Sequence, residues 1–203
     1  MTDPLLLLAF IPAALALNLT PGADMMFCLG QGLRHGPRAG WAASAGISAG
    51  VLVHVLLAGL GLGALVAGLP WLFDAIRWAG VAYLLWLAVQ ALRHSAAAPV
   101  PRAGGHAFRE ALAVNLTNPK VILFVLAFVP QFVDPARPVL PQFLLLGAVL
   151  ALGGFAINGL VGQFAGGIGQ RLMRAPGFSR ALGRISAGVF AALALRLAVM
   201  ERT

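Results

Sequence analysis

The stretch that decides the fold is NLTPGAD, residues 18–24, and a related stretch, NLTNPK, returns at residues 115–120. Each copy opens with Asn-Leu-Thr, continues to a proline and then carries an ionisable side chain, inside an otherwise apolar segment. Proline removes a backbone donor and disrupts a helix, and a charge inside a membrane-spanning helix is costly. Two such interruptions, one in each half of the chain, predict a pair of broken helices at a binding site within a membrane.

The composition places the flanking segments in a bilayer. Of the 203 residues, 60% are hydrophobic and 10% are charged, which is more apolar surface than a soluble domain of this size needs. The net charge of +8 comes from short basic clusters between apolar runs, a distribution typical of cytoplasmic loops. We therefore expect a polytopic membrane protein with no nucleic-acid partner, and the single cysteine, Cys28, excludes an internal disulfide.

Hydropathy predicts an all-α membrane protein with six transmembrane helices, each long enough to cross ~30 Å of hydrocarbon. The first segment lacks a basic start, so we interpret it as an uncleaved helix rather than a signal peptide. The run at 139–170 is too long for one straight crossing and is expected to tilt, to kink at Gly153-Gly154 or to extend past the bilayer. Gly68 and Pro70 supply a break in the comparable run at 39–73. The predicted helices are 5–33, 39–68, 71–93, 108–132, 139–170 and 179–200.

The loop charges set the orientation. Because positive residues concentrate in cytoplasmic loops, both termini are expected on the outer side of the membrane. Three helices per half is an odd number, so the halves are inverted repeats within one transporter domain: repeat one at 1–93, a linker at 94–107 and repeat two at 108–203. The basic loop residues are Arg34, Arg38, Arg93, Arg102, Arg109, Arg171, Arg174, Arg180 and Arg184.

Glycines spaced four residues apart predict close helix packing, because small residues let backbones approach in lipid. The pairs are Gly36 and Gly40, Gly46 and Gly50, Gly59 and Gly63, and Gly162 and Gly166.

In the first copy, Pro21 is expected to free carbonyl groups near Leu17 and Asn18. A helix that restarts at Pro21 would have Thr20 as its N-cap and Asp24 in its first turn, beside Gly22. Free amides and the helix dipole there favour an anion such as a substrate carboxylate. The alternative is a simple proline kink with Asp24 near the cytoplasmic interface.

The second copy supplies Asn115, Asn118, Pro119 and Lys120 as candidate binding residues. With Asn18 aligned on Asn115, Lys120 falls one residue from the position of Asp24. We hypothesise that the two charges approach each other, directly or through water, which would lower the cost of burying both. The alternative is a lysine that snorkels to the cytoplasmic surface.

Four further residues are candidates for the same site. His54 is central in the second helix and can relay protons, although a lone histidine on an apolar face is more often a packing residue. Tyr83 and Asn158 lie well inside their helices and can line a cavity. Gln131 follows Pro130 at the end of the fourth helix, where it is either a gate or only a helix terminus.

Several motifs together resemble the lysine-exporter / homoserine–threonine-resistance (LysE/RhtB) family. The first stretch is similar to the family's Asn-x-x-Pro-Gly-Pro signature, with Ala23 in place of the second proline. The segments GVAYLLWL at 80–87, FRE at 108–110, NLTNPK at 115–120 and FVPQF at 128–132 look like its later signatures. The resemblance implies a bacterial inner-membrane exporter of amino acids or close derivatives, driven by the proton gradient, with the outward-facing termini in the periplasm. We expect no cofactor and no metal.

Three other classes compete with that interpretation. An intramembrane enzyme needs a nucleophile with its base, or a metal set, and Ser44, Ser48 and Ser186 lack such a setting while His54 and Asp24 are too few ligands. An exporter of metal ions or other small cations would favour more acidic residues within the membrane than Asp24. A non-transporting assembly protein has no need of paired broken helices. The expected partners are an amino acid, protons and the bilayer, with a homodimer as the candidate assembly.

Overall fold

The computed structural model describes residues 4–68, 70–93, 106–134, 136–166 and 176–199, and the regular structure in these residues is helical. The helix that begins at Pro119 continues as a π-helical turn at Phe124–Phe128 and a 3-10 turn at Val129–Phe132. The helices are α1 (Pro4–Leu19), α2 (Ala23–His35), α3 (Pro37–Gly68), α4 (Pro70–Arg93), α5 (Ala107–Leu116), α6 (Pro119–Leu123), α7 (Val139–Gln163) and α8 (Pro176–Val199).

Both repeated stretches interrupt a helix, as predicted. The axis bends by 53° between α1 and α2, and by 53° between α5 and the segment Pro119–Phe132. Within the described residues, α3 and α7 each contain a 25-residue segment that is long and apolar enough to cross a membrane. Each bent pair meets the same criterion when it is counted as one span. The described chain thus has two straight candidate spans and two broken ones, and the full set of six spans stays a prediction.

The remaining boundaries agree with the sequence in part. The break between α3 and α4 falls at Gly68 and Pro70, as expected. Helix α7 continues through Gly153-Gly154 without a break and ends at Gln163. The helix in the run at 139–170 is therefore shorter than the run itself and is not interrupted at the two glycines. Most of the predicted linker, 94–105, and the end of the fifth predicted helix, 167–170, lie outside the described residues.

Helices α3 and α7 form the centre of the bundle and run antiparallel. Ser44 Oγ donates to the carbonyl of Phe155 at 2.7 Å, and Ser48 Oγ donates to that of Ala151 at 3.0 Å. Further along α3, Val55 packs on Gly147, so the residue number falls along α7 as it rises along α3. Helix α5 packs on α3, α1 packs on α7, and α4 packs on α8. Because these serines bond to carbonyls across the interface, their hydroxyls are satisfied without water.

Glycine sets the closest helix approaches. A Cβ atom added at Gly40 would lie 2.7 Å from the Cα of Gly162, and one added at Gly32 would overlap the Gly162 carbonyl. The predicted packing role is therefore confirmed for Gly40 and Gly162, and also for Gly46, Gly50 and Gly59. It is wrong for Gly36, which has a φ of 84° and turns the chain between α2 and α3, and for Gly166, which has open space around it.

Phenylalanines fill the core beside the middle of α1. Phe10 is fully buried, and its ring centroid lies 5.3 Å from that of Phe132 and 6.3 Å from those of Phe124 and Phe128. Large apolar side chains also face outward, as expected where the solvent is lipid rather than water. Leu8, Leu57, Leu152 and Leu195 are each more than 60% exposed.

Candidate functional site

The first break leaves the end of α1 with unpaired carbonyl groups. Pro21 has no N–H, so the carbonyl of Leu17, four residues earlier, has no intrahelical donor. Thr20 Oγ1 turns back to the carbonyl of Ala16 at 2.5 Å. Thr20 is therefore not the N-cap of α2, and that prediction is wrong: the N-cap position is Gly22, which has no side chain to cap with. Asp24 lies in the first turn of α2, as predicted.

The second break repeats the arrangement with different caps. Asn118 Oδ1 accepts a hydrogen bond from the backbone N–H of Lys120 at 3.0 Å and caps α6, with Pro119 at its first position. Pro119 leaves the carbonyl of Asn115 without its helical donor, just as Pro21 does for Leu17. The Asn115 carbonyl accepts instead from the Asn118 N–H at 3.0 Å and contacts His54 Nε2 at 3.2 Å.

The Lys120 side chain crosses from the second break to the first. Its Nζ donates to the carbonyl of Leu17 at 2.6 Å and to that of Thr20 at 2.8 Å. These oxygens lie at the C-terminal end of α1, where the helix dipole favours a cation. Hydrogen bonds from a charged donor are short and strong, so this lysine stabilises the broken end of α1 and does not snorkel away from the site.

The Asp24 carboxylate makes the reciprocal contact. Its Oδ2 accepts from Asn115 Nδ2, at the end of α5, at 2.8 Å. Its Oδ1 is buried beside the Asn118 amide and has no hydrogen-bond partner among the described residues. The acid on α2 thus contacts the end of α5, while the base on α6 contacts the end of α1.

Asp24 and Lys120 line one cavity but form no direct ion pair. Within the described part of the chain, the salt bridge shorter than 4.0 Å joins Arg137 and Asp134, at 3.0 Å. The cavity has about 30 Å³ of free space, room for about one or two water molecules. Its lining is Leu17, Asn18, Thr20, Gly22, Asp24, Met25, Ile47, Ser48, Val51, Asn118, Lys120, Val121, Leu150, Gly154 and Asn158.

Two predicted asparagines complete the polar lining. Asn18 Nδ2 donates to the carbonyl of Leu150 on α7 at 3.1 Å, and its side chain packs against Gly153 and Gly154. Asn158, one turn further along α7, is 4% exposed, and its Oδ1 has no hydrogen-bond partner among the described residues. A buried oxygen without a donor is costly, so this position favours a ligand or a water molecule that can donate to it.

The other predicted residues lie around this cavity rather than in it. Tyr83 donates its hydroxyl to the carbonyl of Lys120 at 3.1 Å and stacks on Trp86. Gln131 Nε2 donates to the carbonyl of Ala127, four residues earlier, at 3.4 Å. His54 faces a separate apolar groove of about 350 Å³ between α3 and the segment after Pro119. That groove is lined by His54, Leu57, Ala58, Gly61, Ile122, Val125 and Leu126.

Ser48 is the polar cavity residue that the sequence prediction missed. The sequence offers it only as a poor nucleophile, but it lines the cavity and its hydroxyl donates to the carbonyl of Ala151 on α7. Its spacing of four residues from Ser44 puts both hydroxyls on one face of α3, which is the signal that identifies a helix contact. Within the described residues, no group of three or more His, Cys, Asp or Glu side chains is placed to hold a metal ion.

Comparison with protein families matches nearly the whole chain to one model. Residues 15–201 match the family described as "LysE type translocator". An "Uncharacterized membrane protein" of Vibrio cholerae is 34% identical over 203 residues, 96% of this chain and 97% of that protein. No solved structure matches the chain.

Two named relatives are bacterial efflux proteins. The "Homoserine/homoserine lactone efflux protein" of Salmonella typhimurium is 38% identical over 144 residues, 68% of this chain and 70% of the relative. The "Leucine efflux protein" of an Enterobacter species is 35% identical over 150 residues, 70% of this chain and 71% of the relative.

Proposed function

The chain belongs to the LysE type translocator family, a family of transporters, and we propose that it exports amino acids or close derivatives across the bacterial inner membrane. The names of the relatives that act on leucine and on homoserine or its lactone support this substrate class. The two polar stretches whose motifs resemble the family lie at the two helix breaks.

The observation that carries the proposal is the meeting of both breaks at one cavity. Each break brings a charge of opposite sign to it, Asp24 from α2 and Lys120 from α6, and neither charge neutralises the other by direct contact. An amino-acid zwitterion carries one charge of each sign about two bonds apart, so a cavity lined by both acceptors and donors suits it. A purely apolar substrate would leave these polar groups unsatisfied.

The polar groups that line the cavity suggest how the zwitterion is oriented. The carbonyls of Leu17 and Thr20, with the Asp24 carboxylate, are acceptors that match an ammonium group. The first turn of α2 begins at Gly22 without a side-chain cap, and its free amides match a carboxylate. The polar side chain of Asn158, 4% exposed and lining the same cavity, adds a further group for the substrate.

Alternating access by two inverted three-helix repeats is the transport mechanism we propose. The antiparallel pairing of α3 with α7 supports it, because these are the second helices of the two halves. So does the exchange of partners, α5 on α3 and α1 on α7. The cavity of about 30 Å³ is far smaller than the ~300–1,000 Å³ of ordinary ligand pockets, so binding requires the two halves to move apart.

Proton-coupled antiport, with basic loops in the cytoplasm and both termini in the periplasm, completes the proposal. The basic loop clusters support the orientation. Asp24 is the acidic side chain that the cavity offers for exchange of a proton against an ammonium group. An exporter of a metal ion or another small cation is less favoured, because the named relatives act on amino-acid compounds.

Efflux from proteoliposomes tests the function. Vesicles loaded with labelled leucine, homoserine or lysine are expected to lose at least one of these faster than protein-free vesicles, and faster still with an inward proton gradient. Failure to release any amino acid from a wider panel would overturn the exporter assignment. Release that ignores the proton gradient would overturn the antiport step and leave export standing.

A further inference from the structure

We infer that the Lys120 ammonium and the substrate ammonium take turns in the same carbonyl cradle, the oxygens of Leu17 and Thr20. Lys120 is then a tethered competitor that the substrate must displace, rather than a fixed structural cap. This inference rests on the proposed function, because it concerns how an amino acid enters the cavity.

The cradle can bind the ammonium group of Lys120 or that of the substrate. Nζ of Lys120 uses two carbonyls, at 2.6 Å from Leu17 and 2.8 Å from Thr20, both exposed by the break at Pro21. A lysine side chain and an amino acid both present R–NH₃⁺ with three donors, so the same oxygens and the same helix end attract either group. The selectivity that follows is for substrates with a free amine.

The cradle holds one ammonium group at a time, because both of its oxygens bind Lys120 Nζ and two like charges on the same oxygens would repel each other. Lys120 is also part of the cavity lining. The side chain passes close over Gly22, where an added Cβ would lie 3.7 Å from Lys120 Cδ and 3.8 Å from Nζ. A substrate ammonium therefore reaches the carbonyls only after Nζ has left them.

Displacement is feasible because a second acceptor is available. Asp24 Oδ1 is buried without a hydrogen-bond partner and lines the same cavity as Lys120. No ion pair of 4.0 Å or less ties Lys120 elsewhere in the described chain. The flexible four-carbon stem can move Nζ from the carbonyls toward this oxygen, so the ammonium exchanges partners without losing its charge.

The sequence allows a direct measurement, since Lys120 is the only lysine among the 203 residues. In protein labelled with [¹⁵N]lysine, the side-chain ammonium resonance reports Lys120 alone, and Lys120→Arg provides the blank. Saturating amounts of an amino acid that the wild type exports are expected to shift or broaden this resonance. The N-acetyl derivative, which has no ammonium, is expected to leave it unchanged. An unchanged resonance at saturation by the free amino acid would overturn the inference.

Transport kinetics provide a second readout. Removing the competitor raises the apparent affinity by the reciprocal of the fraction of time that the site is free. With Lys120 in the cradle about nine-tenths of the time, Lys120→Met should lower KM by about tenfold. Net efflux should fall by more than exchange, because only the unloaded return step needs the cradle filled by the protein. Equal losses in exchange and efflux with KM unchanged would contradict the inference. Absence of transport by the wild type would instead defeat the proposed function, and the resonance test decides if the variant does not fold.

Discussion

At the residue scale, each of two prolines leaves one carbonyl without its helical donor, and an ionisable side chain from elsewhere in the fold contacts that carbonyl. Pro21 frees the Leu17 oxygen, which Lys120 takes, and Pro119 frees the Asn115 oxygen, which contacts His54. Buried carbonyl groups without donors are costly in a membrane, so both oxygens need new partners, and the Asn115 oxygen also accepts from the Asn118 N–H. The polar residues of the site are therefore also the residues that make broken helices stable.

Asp24→Asn tests the acidic half of this arrangement. The amide keeps the size of the carboxylate but weakens a charge-assisted contact with Asn115 and removes the negative charge that faces the substrate ammonium. We expect normal membrane insertion and a loss of transport of about ten- to hundredfold, since a hydrogen bond to a charged group contributes ~1.5–3 kcal/mol.

Asp134→Asn is the matched control for that substitution. Asp134 is 38% exposed and pairs with Arg137 within its own loop, away from the cavity. Because exposed ion pairs contribute ~0–1 kcal/mol, transport should stay near the wild-type rate. Wild-type transport by Asp24→Asn would show that Asp24 is structural.

At the scale of helices, the side of the bundle where α2, α3 and α7 converge is held by contacts between backbones. Gly32 and Gly40 both pack on Gly162, and no side chain separates the three helices at that point. Backbone atoms cannot move aside as a flexible side chain can, so the junction tolerates no added atom. Around Phe10, in the middle of α1, the packing is made instead by phenylalanine rings.

Gly162→Ala is expected to destabilise this junction. Its Cβ would lie 2.7 Å from the Cα of Gly40 and 3.1 Å from the carbonyl of Cys28, so the helices must separate, at a cost of about 1–3 kcal/mol or more. Gly61→Ala on α3 is the control, because that position has open space and Ala favours a helix by ~1 kcal/mol. Thermal unfolding in detergent should show a lower Tm for the first variant only; equal Tm values would contradict the tight junction.

The sequence predicted the helix breaks more completely than it predicted what surrounds them. The repeated Asn-Leu-Thr and the prolines located both bends, because proline acts through local backbone chemistry. Thr20 was assigned the wrong contact, since its hydroxyl can bond backward to Ala16 as well as forward. The contacts of Lys120 with Leu17, and of Asn115 with Asp24, depend on how residues a hundred positions apart pack. No local pattern specifies such contacts.

At the scale of the whole molecule, the proposed inverted repeats fix which loops face which side. The turn at His35–Pro37 lies among the basic residues predicted to be cytoplasmic, whereas the loop with Asp134 and Arg137 is predicted to be periplasmic. Arg34 and Arg137 are both exposed, and each lies between the first and second predicted spans of its half. The orientation of the chain therefore reduces to the sides on which these two residues lie.

Cysteine labelling tests that orientation. With the buried native thiol removed by Cys28→Ala, Arg137→Cys should react with a membrane-impermeant maleimide in cells whose outer membrane alone is permeabilised. Arg34→Cys should react only after the inner membrane is also opened. The reverse pattern would contradict the proposed orientation, and labelling of both in the first condition would contradict their placement on opposite sides.

The most direct test of the central claim is an experimental structure of the protein with a bound amino acid that it exports. Density for the substrate is expected between the two breaks, with its ammonium on the carbonyls of Leu17 and Thr20 and beside Asp24, and with Lys120 Nζ moved off those carbonyls. Density confined to the apolar groove beside His54, or to any site that leaves both breaks unchanged, would contradict the account.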